Sequence, residues 1–115
     1  MPTVLEVCKP AAPQVIRLAL DHLASALPSG ARAIILGSHA EGNARADSDI
    51  DILIIEPVVK DRAAEMIRLS ALLGRQLIPA DVVVMSSEMF GQQCEIPNTL
   101  AWRVARQGIE YELVH

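Results

Sequence analysis

Two apolar segments of β type flank one amphipathic helical segment, and that succession limits the fold more than any other feature of the chain. Residues 49–55 alternate aspartate with isoleucine before becoming wholly apolar, and Glu56-Pro57 closes the run. Residues 60–75 have helical periodicity. Met66, Leu69, Leu73 and Leu77 line one side, while Arg62, Glu65, Arg68 and Arg75 supply charge elsewhere. Residues 79–85 form another strand centred on Val82, Val83 and Val84. Strand, helix and strand in succession predict two parallel strands joined by a right-handed crossover. Upstream, residues 32–36 are a short apolar strand. The connection over residues 37–47 has room for one helical turn but is too short for an easy crossover, so it predicts an antiparallel relation.

The ends of the chain add helices. Pro10 and Pro13 open a helical stretch that reaches about Leu27, where Pro28-Ser29-Gly30 stops it. Its predicted apolar side carries Val15, Leu18, Ala19, His22, Leu23 and Ala26. Residues 98–107 are a last helix closed by Gly108, with Leu100, Ala101, Val104 and Ala105 as its buried stripe. Trp102 and Arg106, four apart on that helix, are placed to stack. Residues 109–114 are a short strand or tail. The expected architecture is a single α/β domain over residues 1–115, a small mixed β-sheet flanked by helices.

Composition excludes several classes of function. No apolar run approaches the ~18 residues of a membrane span. The N-terminus lacks a basic patch followed by an apolar stretch, so no signal peptide is expected. Cys8 and Cys94 form no CxxC pair, which fits a reducing, cytoplasmic setting with both thiols free. Ten basic against fourteen acidic residues give a net charge of -4, which argues against nucleic acid as a partner. Phe90, Trp102 and Tyr111 are the whole aromatic set, too few for a base-stacking platform.

The predicted pairing gathers chemistry at one end of the sheet. Gly37 and Ser38 end the first strand, Asp49 and Asp51 start the second, and Asp81 starts the third. Period-two geometry puts Asp49 and Asp51 on one face and Ile50, Ile52 and Ile54 on the other. Two carboxylates roughly 7 Å apart repel unless a cation lies between them. Carboxylate oxygens suit Mg²⁺, which completes its shell with water and substrate phosphates. With Asp81 as a third ligand, two metal ions ~3.5–4 Å apart can clamp an in-line phosphoryl displacement. Gly37 allows close backbone approach, so backbone N–H groups and the Ser38 hydroxyl can hold a triphosphate. Arg45 is the nearest cation and is placed either to contact phosphate or to pair with Asp47. Each feature alone is common in ordinary turns and strand ends; their succession is what points to one site.

The segment GSHAEGNARADSDIDILI, residues 37–54, resembles the signature of the DNA polymerase β-like nucleotidyltransferase superfamily. The Gly-Ser pair, the run from Gly42 to Asp51 ending in Asp-Ile-Asp, and Asp81 before three valines all match that pattern. The resemblance implies the polymerase β-like fold and transfer of a nucleoside monophosphate, usually AMP from ATP, with release of pyrophosphate. It assigns Asp49 and Asp51 to both Mg²⁺ ions. Asp81 takes the catalytic ion and helps activate the acceptor, and Gly37 and Ser38 take the triphosphate. Among such enzymes the chain is similar to the minimal nucleotidyltransferases of prokaryotes. These commonly act beside an all-helical HEPN protein, often as the antitoxin of a toxin–antitoxin pair that can place AMP on a tyrosine of the toxin.

Other residues carry weaker signals. His39 is a loop residue beside the Gly-Ser pair, His22 lies at the core edge, and Cys8 and Cys94 have no His–acid pair to mark a nucleophile. Because nearly all the sequence is absorbed by the nucleotidyltransferase core, the acceptor half of the site is expected from a helical partner protein or a homo-oligomer. Three readings remain at this point: a protein-modifying nucleotidyltransferase, a small-molecule nucleotidyltransferase completed by dimerisation, and a neutralising binding partner in which catalysis is secondary.

Overall fold

A computed structural model describes residues 14–36 and 50–113. Among the described residues, four helices and four strands run in the order α1 (Gln14–Ala26), β1 (Arg32–Leu36), β2 (Ile50–Glu56), α2 (Arg62–Arg75), β3 (Ala80–Ser86), α3 (Ser87–Gln93), α4 (Leu100–Gln107) and β4 (Ile109–Glu112). The strands form one mixed sheet in the order β3-β2-β1-β4. β1 is antiparallel to both β2 and β4, whereas β2 and β3 are parallel, as the crossover argument requires. Pro10 and Pro13, Cys8, His39, His115 and the predicted turn within residues 37–47 lie outside the described residues. No described helix is long and apolar enough to cross a membrane.

Helices cover the sheet on both faces. Ile50, Ile52 and Ile54 of β2 pack with Ala33 and Ile35 of β1 against α1 and α2. Leu53 and Ile55 point the other way and pack with Ile34, Leu36 and Met85 against Ala101 and Val104 of α4. The central strand is therefore apolar on both faces over most of its length, and each face has its own core. Arg32 ties one edge together: its guanidinium donates to both Glu110 carboxylate oxygens at 2.7 and 2.8 Å and lies 5.5 Å from the Phe90 ring centroid. That bond holds the Glu110 carboxyl below its usual range.

Several sequence expectations shift by a turn or less. The buried stripe of α1 is Ile16, Ala19, Leu20, Leu23 and Ala24, while Leu18 is 47% exposed and His22 half-buried. The stripe through Ile16 and Leu20 carries more apolar volume than the one through Leu18 and His22, and it wins the core. On α4, Ala101 and Val104 are buried and Leu100 half-buried, but Ala105 is exposed. The helix α3 has no counterpart in the expected element order. Its start is marked by Ser86, whose hydroxyl accepts from the Met89 N–H at 3.1 Å, and by Glu88 in the first turn.

Leu77 departs furthest from expectation. Beyond the end of α2 the Leu77 N–H donates to the Gly74 carbonyl and the Ile78 N–H to the Leu73 carbonyl, both at 3.0 Å. This is a Schellman closure with Leu77 at the position that glycine usually takes. Its φ is +59°, and its side chain is 89% exposed instead of joining the helix stripe. Gly108, in contrast, has an ordinary φ of −81°. A Cβ there would collide with the Ile34 side chain and the Val104 carbonyl, so glycine is needed for room where α4 turns into β4.

At the far end of β2 from the aspartates, Glu56 is 5% exposed, and its Oε2 has no hydrogen-bond partner among the described residues. Burial, then the neighbouring Glu65, raises its carboxyl to about 7. Arg68, 2.6 Å from Glu65 and 3.1 Å from the Ala26 carbonyl, holds Glu65 down to about 2 and ties α2 to the end of α1.

Two outcomes follow for stability. Leu77→Gly should raise it by about 1 kcal/mol, the scale of relieving a left-handed non-glycine residue, read as a higher thermal midpoint. For Glu56 the folded state holds its proton longer than the unfolded chain, so stability falls as pH rises from about 4.5 through about 7. Glu65 acts oppositely, contributing above about 4.5 and losing its contribution as pH falls towards about 2. Glu56→Gln should therefore stabilise the protein at pH 8, on the order of 1–3 kcal/mol, and have little effect near pH 4.5, as parallel melting curves would show.

Candidate active site

The site begins with the register of the parallel pair. Asp51 of β2 lies directly beside Asp81 of β3, and on its other side Asp51 faces Leu36, the last residue of β1. Neighbouring strands are about 4.8 Å apart, so register partners project side by side from the same sheet face. That face is the one covered by α3 and α4, as Leu53 two residues further along β2 confirms. The backbone of this end is closed by the Ile50 N–H, which donates to the Pro79 carbonyl at 3.1 Å.

A cleft of about 210 Å³ opens over this row. Leu36, Leu53 and Val83 form its floor, Asp51 and Asp81 its acidic side, and Leu100 and Arg103 of α4 the facing wall. Asp51 is half-buried and Asp81 exposed, and β3 is an outer strand, so the cleft opens beside Asp81.

Of the residues singled out from sequence, the structure brings Asp51 and Asp81 together on one row of one face. Asp49, Gly37, Ser38 and Arg45 lie outside the described residues. Among the described residues there is no cluster of three or more His, Cys, Asp or Glu able to hold a metal ion. The two carboxylates that are described fit a hard divalent cation in their donor chemistry: oxygen ligands only, adjacent, and beside a cleft. Trp102 and Arg106 do stack, with the guanidinium 4.6 Å from the ring centroid.

Arg103 is a cleft residue that neither motif nor apolar period marks. Its signal was position: three residues after Leu100, it flanks the buried stripe of α4 on the side that Leu100 shares. Glu56 is likewise unmarked in the sequence, where it stands only as the residue that closes an apolar run, and it is buried in the structure.

Over residues 16–107 the chain matches the nucleotidyltransferase domain family. Among the described residues that span holds α2, α3, α4 and nearly all of α1, the strands β1 to β3, and both Asp51 and Asp81, and the chain belongs to this family. No curated protein matches it. The reaction class that fold and family share is transfer of a nucleotidyl group.

Asp81 is exposed and sits beside another carboxylate, so nothing in the core depends on its charge. Asp81→Asn should fold normally and, without added metal, melt at or slightly above the native temperature, by up to about 1 kcal/mol in stability. Differential scanning calorimetry in metal-free buffer checks this.

Proposed function

We propose that this protein transfers AMP from ATP to a hydroxyl and releases pyrophosphate, and that the acceptor is a tyrosine of a helical HEPN-type toxin that it neutralises as the antitoxin. The observation that carries the catalytic part is the in-register pair Asp51–Asp81 at the mouth of the cleft. Asp51 and Asp81, with Asp49 from the adjoining segment, would hold Mg²⁺. When bound, the metal neutralises the triphosphate and the charge that develops in the transition state. Gly37 and Ser38 would take the triphosphate, with Arg45 as a further phosphate contact.

The chain's own residues have distinct tasks. Asp81, exposed at the cleft mouth, orients the acceptor hydroxyl and accepts its proton as the oxygen bonds to the α-phosphorus. The bond from the α-phosphorus to the bridging oxygen of the β-phosphate breaks, and pyrophosphate leaves with that electron pair. The acceptor oxygen must reach about 3–3.5 Å from the phosphorus for useful catalysis. Access beside Asp81 on the outer strand suits a tyrosine presented by another protein. Each AMP added gives the toxin a new negative charge where it works.

The test incubates the protein with labelled ATP, Mg²⁺ and a HEPN-type partner, followed by mass spectrometry of both chains. The expected product is AMP on a partner tyrosine. Asp51→Asn should lower the rate by about 10²–10³-fold, the scale of losing one preorganised electrostatic group. An unmodified partner, with transfer to a free small molecule instead, would overturn the antitoxin reading. No transfer to any acceptor by the intact protein would overturn the catalytic one.

A further inference from the structure

The cleft has opposite charge on its two sides. Its strand side carries Asp51 and Asp81; its helix side carries Arg103, the one cation among the described residues that line it. Most other described arginines have a structural partner. Arg32 binds Glu110, Arg62 donates to the Val84 carbonyl at 2.6 Å, Arg68 binds Glu65, and Arg106 stacks on Trp102. The Arg103 guanidinium makes no hydrogen bond, ion pair or ring contact among the described residues, although two carboxylates line the same cleft.

Its mounting is firm. The Thr99 hydroxyl caps α4, accepting from the Trp102 N–H at 3.1 Å, and lies 2.9 Å from the carbonyls of Gln93 and Ile96. At the other end Gly108 turns the chain tightly against Ile34. Ala101 and Val104, on either side of Arg103 in sequence, are buried in the core of that face. An exposed guanidinium with no partner among the described residues, carried on a helix fixed at both ends and lining the same cleft as the acidic row, is available to an anion.

We infer that Arg103 binds the phosphate chain of the nucleotide donor, giving the cleft a cationic side opposite its carboxylates. The inference rests on the nucleotidyl-transfer reading of the cleft and names a residue that reading does not use. A triphosphate entering a protein of net charge -4 meets general repulsion, and a local cation is the direct way to offset it. Guanidinium is suited to the task because its planar donors match two phosphate oxygens at once. Arg103 therefore holds the donor from the helix side while the carboxylate side faces the metal-binding oxygens of the same phosphates.

The experiment is calorimetric titration of ATP with Mg²⁺ into the native protein, Arg103→Ala and Arg106→Ala, with melting curves to confirm that all three are folded. Arg103→Ala should weaken binding about ten- to hundred-fold, the scale of one charge-assisted hydrogen-bonding group. Arg106→Ala, which loses the same charge on the same helix outside the cleft, should bind within about threefold of the native protein. In the transfer assay, Arg103→Ala should raise the KM for ATP and leave the KM for the acceptor unchanged. Native affinity in Arg103→Ala, an equal loss in both variants, or a change confined to the acceptor KM would each overturn the inference while leaving the site reading intact. Failure of the native protein itself to bind ATP with Mg²⁺ would overturn both.

Discussion

The parallel pairing of β2 with β3 carries Asp51 and Asp81 onto one row, and the acidic side of the cleft depends on that register. A slip of one residue would turn Asp81 to the opposite face, beneath α1 and α2, where an unpaired carboxylate has no place. The register is held by what lies on either side of the aspartates. Val82 and Val84 pack on one face with Ile52 and Ile54, and Met85 on the other with Leu53 and Ile55. The apolar run that makes β2 a central strand is thus what keeps two like charges adjacent.

The two ends of β2 use carboxylates in opposite ways. At the start, Asp51 and Asp81 sit beside a cleft, with an arginine across from them. At the finish, Glu56 is buried beneath the start of α2 and its carboxyl is raised to about 7, while Glu65 stays ionised against Arg68. Solvent access separates the cases: a group that water reaches can serve ions and phosphates, and a group that water leaves is driven towards its neutral form.

Much of this was legible from residue order. The crossover of β2, α2 and β3, the antiparallel β1–β2 pair, and the facing of Asp51 away from Ile50 and Ile52 all follow from period and connection length. What was not legible depended on three-dimensional company. Leu77 continues the helical period perfectly and still leaves the core, because the chain turns left-handed one residue too early for it to reach. Leu18 lost its place to Ile16 and Leu20 because the sheet chooses the bulkier stripe. Arg103 reads as an ordinary surface charge until α4 is laid across β1 and β2. Asp49, Gly37, Ser38 and Arg45 remain known by sequence motif alone.

The crossover also sets when the site can come into being during folding. Asp51 and Asp81 belong to strands separated by the whole of α2, so their pairing closes a long loop, and long-range parallel pairing is slow. The β1–β2 pair and α2 can form from closer neighbours in the chain. A partly folded chain therefore has Asp51 at the end of a strand with no Asp81 beside it. Pairing of β1 with β4 closes a longer loop still, since Arg32 lies opposite Glu112, so by loop length alone the acidic row precedes the closing of the sheet's other edge.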